Sequence, residues 1–136
     1  MMIDEKSNII KNSLISSSRK ISYNDMLSEN SIGCLTAVYD QEKIGKIYMP
    51  NIRKRQDYGL WFKILKNEKF AYGMKESLAY YRIGQSSLSK NKFELIKWNW
   101  ILFHNVEKHS FIKSSYYLLL NIFNKLKKDI ILKKLQ

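Results

Sequence analysis

Ile112, Tyr116, Leu119, Phe123, Leu126 and Ile130 recur at alternating spacings of four and three residues. At about 100° per residue they form one narrow apolar stripe, which predicts a helix over residues 110–134. Lys113, Lys125 and Lys128 fall well away from that stripe, whereas Lys133 and Lys134 flank it. A stripe of this kind either packs on the preceding Trp-rich helix or lies in a bilayer interface, and packing is the expected outcome. A second helical pattern covers residues 57–67, where Trp61, Ile64 and Leu65 share a face and Asp57 stands one turn before Trp61. A third starts near Ser89 or Asn91 and runs through Trp98, Trp100 and Phe103 to about Lys108.

Apolar and β-rich runs predict strands over residues 32–39, 69–74 and 77–83. The first reads as a buried strand that holds Cys34 as an inert thiol, with Thr36 on it. Ser22-Tyr23-Asn24-Asp25 is an N-cap signal for a short helix over residues 24–29. Asp40 to Gly45 reads as a polar turn or one helical turn closed by glycine. Pro50 argues for a loop, which carries Arg53, Lys54 and Arg55 towards Asp57. Residues 1–20 are polar and Ser-rich, a loosely held lead-in. The expected organisation is thus a lead-in at 1–20, a main body at 21–108 and a basic amphipathic helix at 109–136.

Composition narrows the function classes. With 136 residues the chain is one domain or less, and its 45% hydrophobic content excludes a disordered polymer. The single cysteine excludes an internal disulfide, and no His or Cys cluster has metal-ligand spacing. The net charge of +12 favours anionic partners. Nucleic acid is the weakest of these, because the lysines are dispersed and no recognised nucleic-acid motif is present. No apolar run approaches the roughly 20 residues that span a bilayer, and Met1 to Lys6 does not read as a secretory signal. The expected location is the cytoplasm, with room for a peripheral role on an anionic inner membrane face.

The segment with most chemical content is Arg55-Gln56-Asp57-Tyr58-Gly59-Leu60-Trp61. By position alone Asp57 reads as a helix cap and Trp61 as a core aromatic. Arg53, Lys54 and Arg55 are either a solvated basic turn or contacts for phosphate oxygens, which arginine matches bidentately. His104 and His109 lack a carboxylate or cysteine at a telling spacing and read as structural.

Taken with Leu78-Ala79-Tyr80-Tyr81-Arg82-Ile83 and Ser86-Ser87-Leu88-Ser89-Lys90-Asn91-Lys92, that segment resembles the acceptor-side half of a family 2 glycosyltransferase. The likeness is to the type that builds bacterial envelope polysaccharides such as teichuronic acid and O-antigen. It covers about residues 21–108. It implies an α/β chain with part of the GT-A, or nucleotide-diphospho-sugar transferase, fold: a few short strands and long C-terminal helices. The implied reaction moves a sugar from a nucleotide-sugar donor to a polysaccharide or lipid-linked acceptor. Gln56-Asp57 matches the family's acidic pair, which implies that Asp57 is the catalytic base and that Arg53, Arg55, Gln56, Trp61 and Arg82 bind substrate. Complete relatives hold Mg²⁺ or Mn²⁺ on an Asp-x-Asp pair. Asp4, Asp25, Asp40, Asp57 and Asp129 contain no such pair, and the loop after Arg82 lacks the histidine found in some relatives. No cofactor or metal ligand is therefore expected in this chain, which would need a separate nucleotide-binding half to act. The alternative is a non-catalytic basic module that binds a membrane surface or a partner.

Overall fold

The computed structural model describes residues 2–10, 20–74, 76–82 and 92–134. In chain order they form β1 (Met2–Ile3), β2 (Lys20–Ile21), α1 (Tyr23–Ser28), α2 (Gln41–Ile44), α3 (Gln56–Asn67), β3 (Ala71–Tyr72), β4 (Tyr81–Arg82), α4 (Lys92–Ile101) and α5 (Phe111–Lys134). A π-helical turn, Leu102–Val106, joins α4 to α5. The architecture is mixed but helix-dominated.

The core is built around α3. Tyr58 to Phe62, together with Ile64 and Leu65, are all buried, so this helix is covered on nearly every side rather than along one stripe. Tyr58 stacks on Phe62 at 4.7 Å between ring centroids, and Phe103 of the π turn meets both rings. Gly59 lets the loop before α3 approach. A Cβ there would lie 2.5 Å from Pro50 Cγ and 3.1 Å from Leu102 Cδ1.

Helix α1 is fixed at both ends by side chains. Ser22 and Asp25 form a reciprocal capping box at its start. At its end, the carbonyls left without helical partners accept from other elements. Tyr58 donates its hydroxyl to Met26 O, Asn121 donates Nδ2 to Leu27 O at 2.6 Å, and Asn124 donates Nδ2 to Ser28 O at 3.1 Å. The last turn of α1 therefore docks on α3 and α5. Asp40 caps α2 and Gly45 closes it at φ 78°, as its sequence predicts.

Five expectations need correction. Residues 32–39 form no strand: no segment among the described residues pairs with them. Ile32, Ala37 and Tyr39 pack on the core, whereas Val38 is 93% exposed, and Cys34 and Thr36 are exposed too. Burial does not alternate along this run, since residues 33–36 are all exposed, and a strand needs a neighbour for its N–H and C=O groups. The two later strands shrink to Ala71–Tyr72 and Tyr81–Arg82, with Ile83 outside the described residues. They pair with the N-terminal segment rather than with each other. β1 lies parallel to β4 with Met2 opposite Tyr81, and β2 lies antiparallel to β3 with Lys20 opposite Tyr72. Much of the described lead-in is therefore anchored. The long helix to Lys108 is interrupted by the π turn, which Lys108 terminates at φ 56°.

The fifth correction concerns α5. It packs against α1, α4 and the π turn, but not through its stripe. Ile112, Tyr116, Leu119, Phe123, Leu126 and Ile130 are all exposed. The opposite face, with Ser114, Tyr117, Leu118, Asn121 and Asn124, meets the body. Trp100 of α4 does contact α5, edge-on to Phe111 at 5.2 Å, but Phe111 is not on the stripe.

Below α3's far end sits a polar network. The Glu107 side chain, 2% exposed, accepts from Tyr23 OH at 2.5 Å and pairs with Lys66 Nζ at 2.8 Å. Tyr23 OH also lies 3.3 Å from His109 Nε2. Burial, then the Glu107 carboxylate, push the Tyr23 phenol well above its ordinary pKa. His109 is lowered, first by burial and then by Lys113.

Candidate active site

The chain enters α3 through Arg55, which adopts a left-handed conformation at φ 66°. Such a backbone costs a non-glycine residue about 1–3 kcal/mol, so the surroundings must hold it. The Arg55 carbonyl accepts from Gly59 N at 3.0 Å and begins the helix. Asp57 is thus not the N-cap but the second helical residue, among backbone N–H groups that favour negative charge. Its carboxylate is half-buried and makes no side-chain hydrogen bond or ion pair with the described residues.

Arg55 is the nearest cation to that carboxylate in sequence. Burial pulls its guanidinium below the ordinary arginine value, and Tyr58 and Asp57 push it back. Its Nε is buried without an acceptor. Trp61 lies one turn beyond Asp57, 6% exposed, and its Nε1 is likewise a buried donor without a partner. Buried unpaired donors cost about 1–3 kcal/mol each, so two within residues 55–61 are a local expense.

The basic loop is tied down rather than free. Lys54 Nζ lies 2.6 Å from Glu94 Oε2 at the start of α4, and holds the Glu94 carboxyl below the usual carboxylate range. Arg53 and Gln56 are exposed, and the charge of Arg53 also reaches Glu94. Arg53, Arg55, Gln56, Asp57 and Trp61 therefore stay together at one end of α3. Arg82 is engaged elsewhere: its guanidinium donates to Asp4 O, Glu5 O and Ser7 Oγ at 2.9–3.0 Å. The sequence missed the Lys54–Glu94 tie and the structural need for Gly59. A glycine inside an apolar helix was the available signal for the second; nothing local marked the first.

A carboxylate without a partner, opening a helix beside an arginine, suits proton transfer or the binding of a polar substrate better than metal coordination. Among the described residues no group of three His, Cys, Asp or Glu side chains could hold a metal ion. No helix among them is long and apolar enough to cross a membrane.

Comparison with known proteins identifies the class: the chain is similar to bacterial glycosyltransferases, as its motifs suggest. It is 40% identical over 110 residues to TuaG of Bacillus subtilis, a glycosyltransferase assigned to teichuronic acid biosynthesis; the match covers 81% of this chain and 44% of TuaG. An uncharacterized glycosyltransferase of Haemophilus influenzae is 34% identical over 89% of this chain and 48% of its own length. The Escherichia coli UDP-Glc:alpha-D-GlcNAc-diphosphoundecaprenol beta-1,3-glucosyltransferase WfgD is 40% identical over 60% of this chain and 32% of its own. The chain thus spans less than half the length of these relatives. No protein-family model matches it. No solved structure matches it either.

Proposed function

We propose that the chain is the acceptor-side part of a family 2 glycosyltransferase with the GT-A fold. In this reading the sugar moves from a UDP-sugar to a lipid-linked or polysaccharide acceptor at the cytoplasmic face of the cell membrane. The name of WfgD, which acts on UDP-Glc and a diphosphoundecaprenol-linked sugar, supports the substrate class. The observation that carries the site is Asp57 itself, a half-buried carboxylate held at a helix start without a partner of its own.

Asp57 would take the proton of the acceptor hydroxyl as that oxygen attacks the sugar's anomeric carbon and the nucleoside diphosphate leaves. Arg55, with a buried donor lacking an acceptor, and exposed Arg53 and Gln56 would bind oxygens of the substrate. Trp61 supports the site from the core side. For Arg82 the proposed substrate contact requires that its bonds to residues 4–7 be exchanged. Mg²⁺ or Mn²⁺ belongs to the complete enzyme's diphosphate chemistry; the residues around Asp57 do not fit it, since the neighbouring charges are cationic.

The test joins this chain to the part of TuaG that the match leaves uncovered and measures sugar transfer from UDP-sugars to a diphospholipid-linked acceptor. Asp57→Asn should lower kcat by roughly 10²–10⁴-fold, the usual contribution of a positioned base, with UDP binding unchanged. Turnover that survives Asp57→Asn removes Asp57 from the base role.

A further inference from the structure

We propose that the outward face of α5 is a membrane-docking surface for an anionic bilayer interface. The observation is an inversion of the usual order. Ile112, Tyr116, Leu119, Phe123, Leu126 and Ile130 fall within about 40° of one line along the helix, at about 100° per residue. Each is more than half exposed, with Ile112 at 81% and Phe123 at 63%. The face that meets the protein is the opposite one, held by Asn121 and Asn124 on the carbonyls of α1 and by Lys128 on Glu29. From Ile112 to Ile130 the stripe is about 27 Å long at 1.5 Å per residue. An apolar face of that length on a well-packed helix needs a cover.

Charge selects the occupant. Helix α5 carries six lysines against one aspartate, Asp129. Exposed Lys127 lies about 60° from the stripe's centre and exposed Lys113 about 100° on the same side. Their stems are long enough to lie along an apolar surface and place the ammonium among headgroups. A helix with aromatic and aliphatic residues on one face and lysines beside them is suited to lie in the plane of an anionic interface, its apolar side among acyl chains. A second copy of this face would bring the same lysines together.

This surface stands apart from the chemistry at Asp57, and either can fail alone. The test is co-sedimentation of the chain with phosphatidylcholine vesicles containing 0 or 30% phosphatidylglycerol, at about 50 and 500 mM salt. Binding should require the anionic lipid and weaken at least threefold in the higher salt. Leu119→Ser with Phe123→Ser should reduce it at least tenfold, with helix content unchanged by circular dichroism, because both side chains are exposed. Lys127→Glu, a charge reversal at an exposed position beside the stripe, should also weaken it. Absence of vesicle binding by the unmodified chain overturns the proposal, as does equal binding by the serine variant or to purely neutral vesicles. Self-association abolished by the same serine changes, without vesicle binding, assigns the face to a second copy and likewise overturns it.

Discussion

Gly59 faces Pro50 so closely that a methyl group at Gly59 would sit 2.5 Å from the proline's Cγ. Pro50 is itself buried, and its ring cannot swing aside as a flexible side chain would. In an open helix, alanine is better than glycine by about 1 kcal/mol. Here Gly59→Ala should instead lower stability by roughly 1–3 kcal/mol through overpacking, as measured by urea denaturation. A gain in stability would show that the 50–55 loop has room to move, and would weaken the case that α3's entrance is rigid.

Asn121 holds the end of α1 through Leu27 O. Replacing it with leucine adds apolar surface on the face that meets the body, so packing alone would predict a gain. The expected result of Asn121→Leu is a loss of about 1–3 kcal/mol, because a carbonyl at a packed helix end is left without its donor. The denaturation midpoint of this variant compared with Asn121→Ser separates hydrogen bonding from packing.

Tyr23→Phe removes a donor from the Glu107 carboxylate, and should cost about 1–3 kcal/mol at pH 7. The pH dependence has a definite sign. The folded chain holds the Tyr23 proton above the ordinary phenol range, while the unfolded chain releases it near pH 10. The contribution is fully present below pH 10 and falls as pH rises beyond it. The unmodified chain should therefore lose stability more steeply than Tyr23→Phe between about pH 9.5 and 11, and parallel curves would contradict the network.

Glu94 should appear on the acid side. Lys54 keeps its carboxyl depressed, so the pair's contribution is present above the unfolded glutamate value of 4.5 and is lost as pH falls through the folded value. Melting temperatures from pH 7 to 3 should converge for the unmodified chain and Glu94→Gln at the acid end. In a complete enzyme the same change should raise KM for the UDP-sugar, since the tie positions the loop that carries Arg53 and Arg55. A KM that stays constant would detach the loop from substrate binding.

The sequence by itself determined what depends on neighbours three or four residues apart. The Ser22–Asp25 box, the Asp40 and Gly45 caps, and the extents of α3 and α5 are all written in such spacings. So is the cluster that opens α3, whose members stay together because they are nearly contiguous. Only the tertiary structure decided relations between distant segments. Periodicity locates the apolar stripe of α5 about its own axis but does not say which way it faces. That was set by amides reaching orphan carbonyls 94 and 96 residues earlier in the chain. Residues 32–39 are an apolar run that reads as a strand, yet a strand exists only where another backbone meets it. The tying of Arg82 to residues 4–7 and of Lys54 to Glu94 is nonlocal in the same sense. Local patterning fixes a segment's shape, while its neighbours are chosen by the polar groups and apolar surfaces that the whole chain must cover at once.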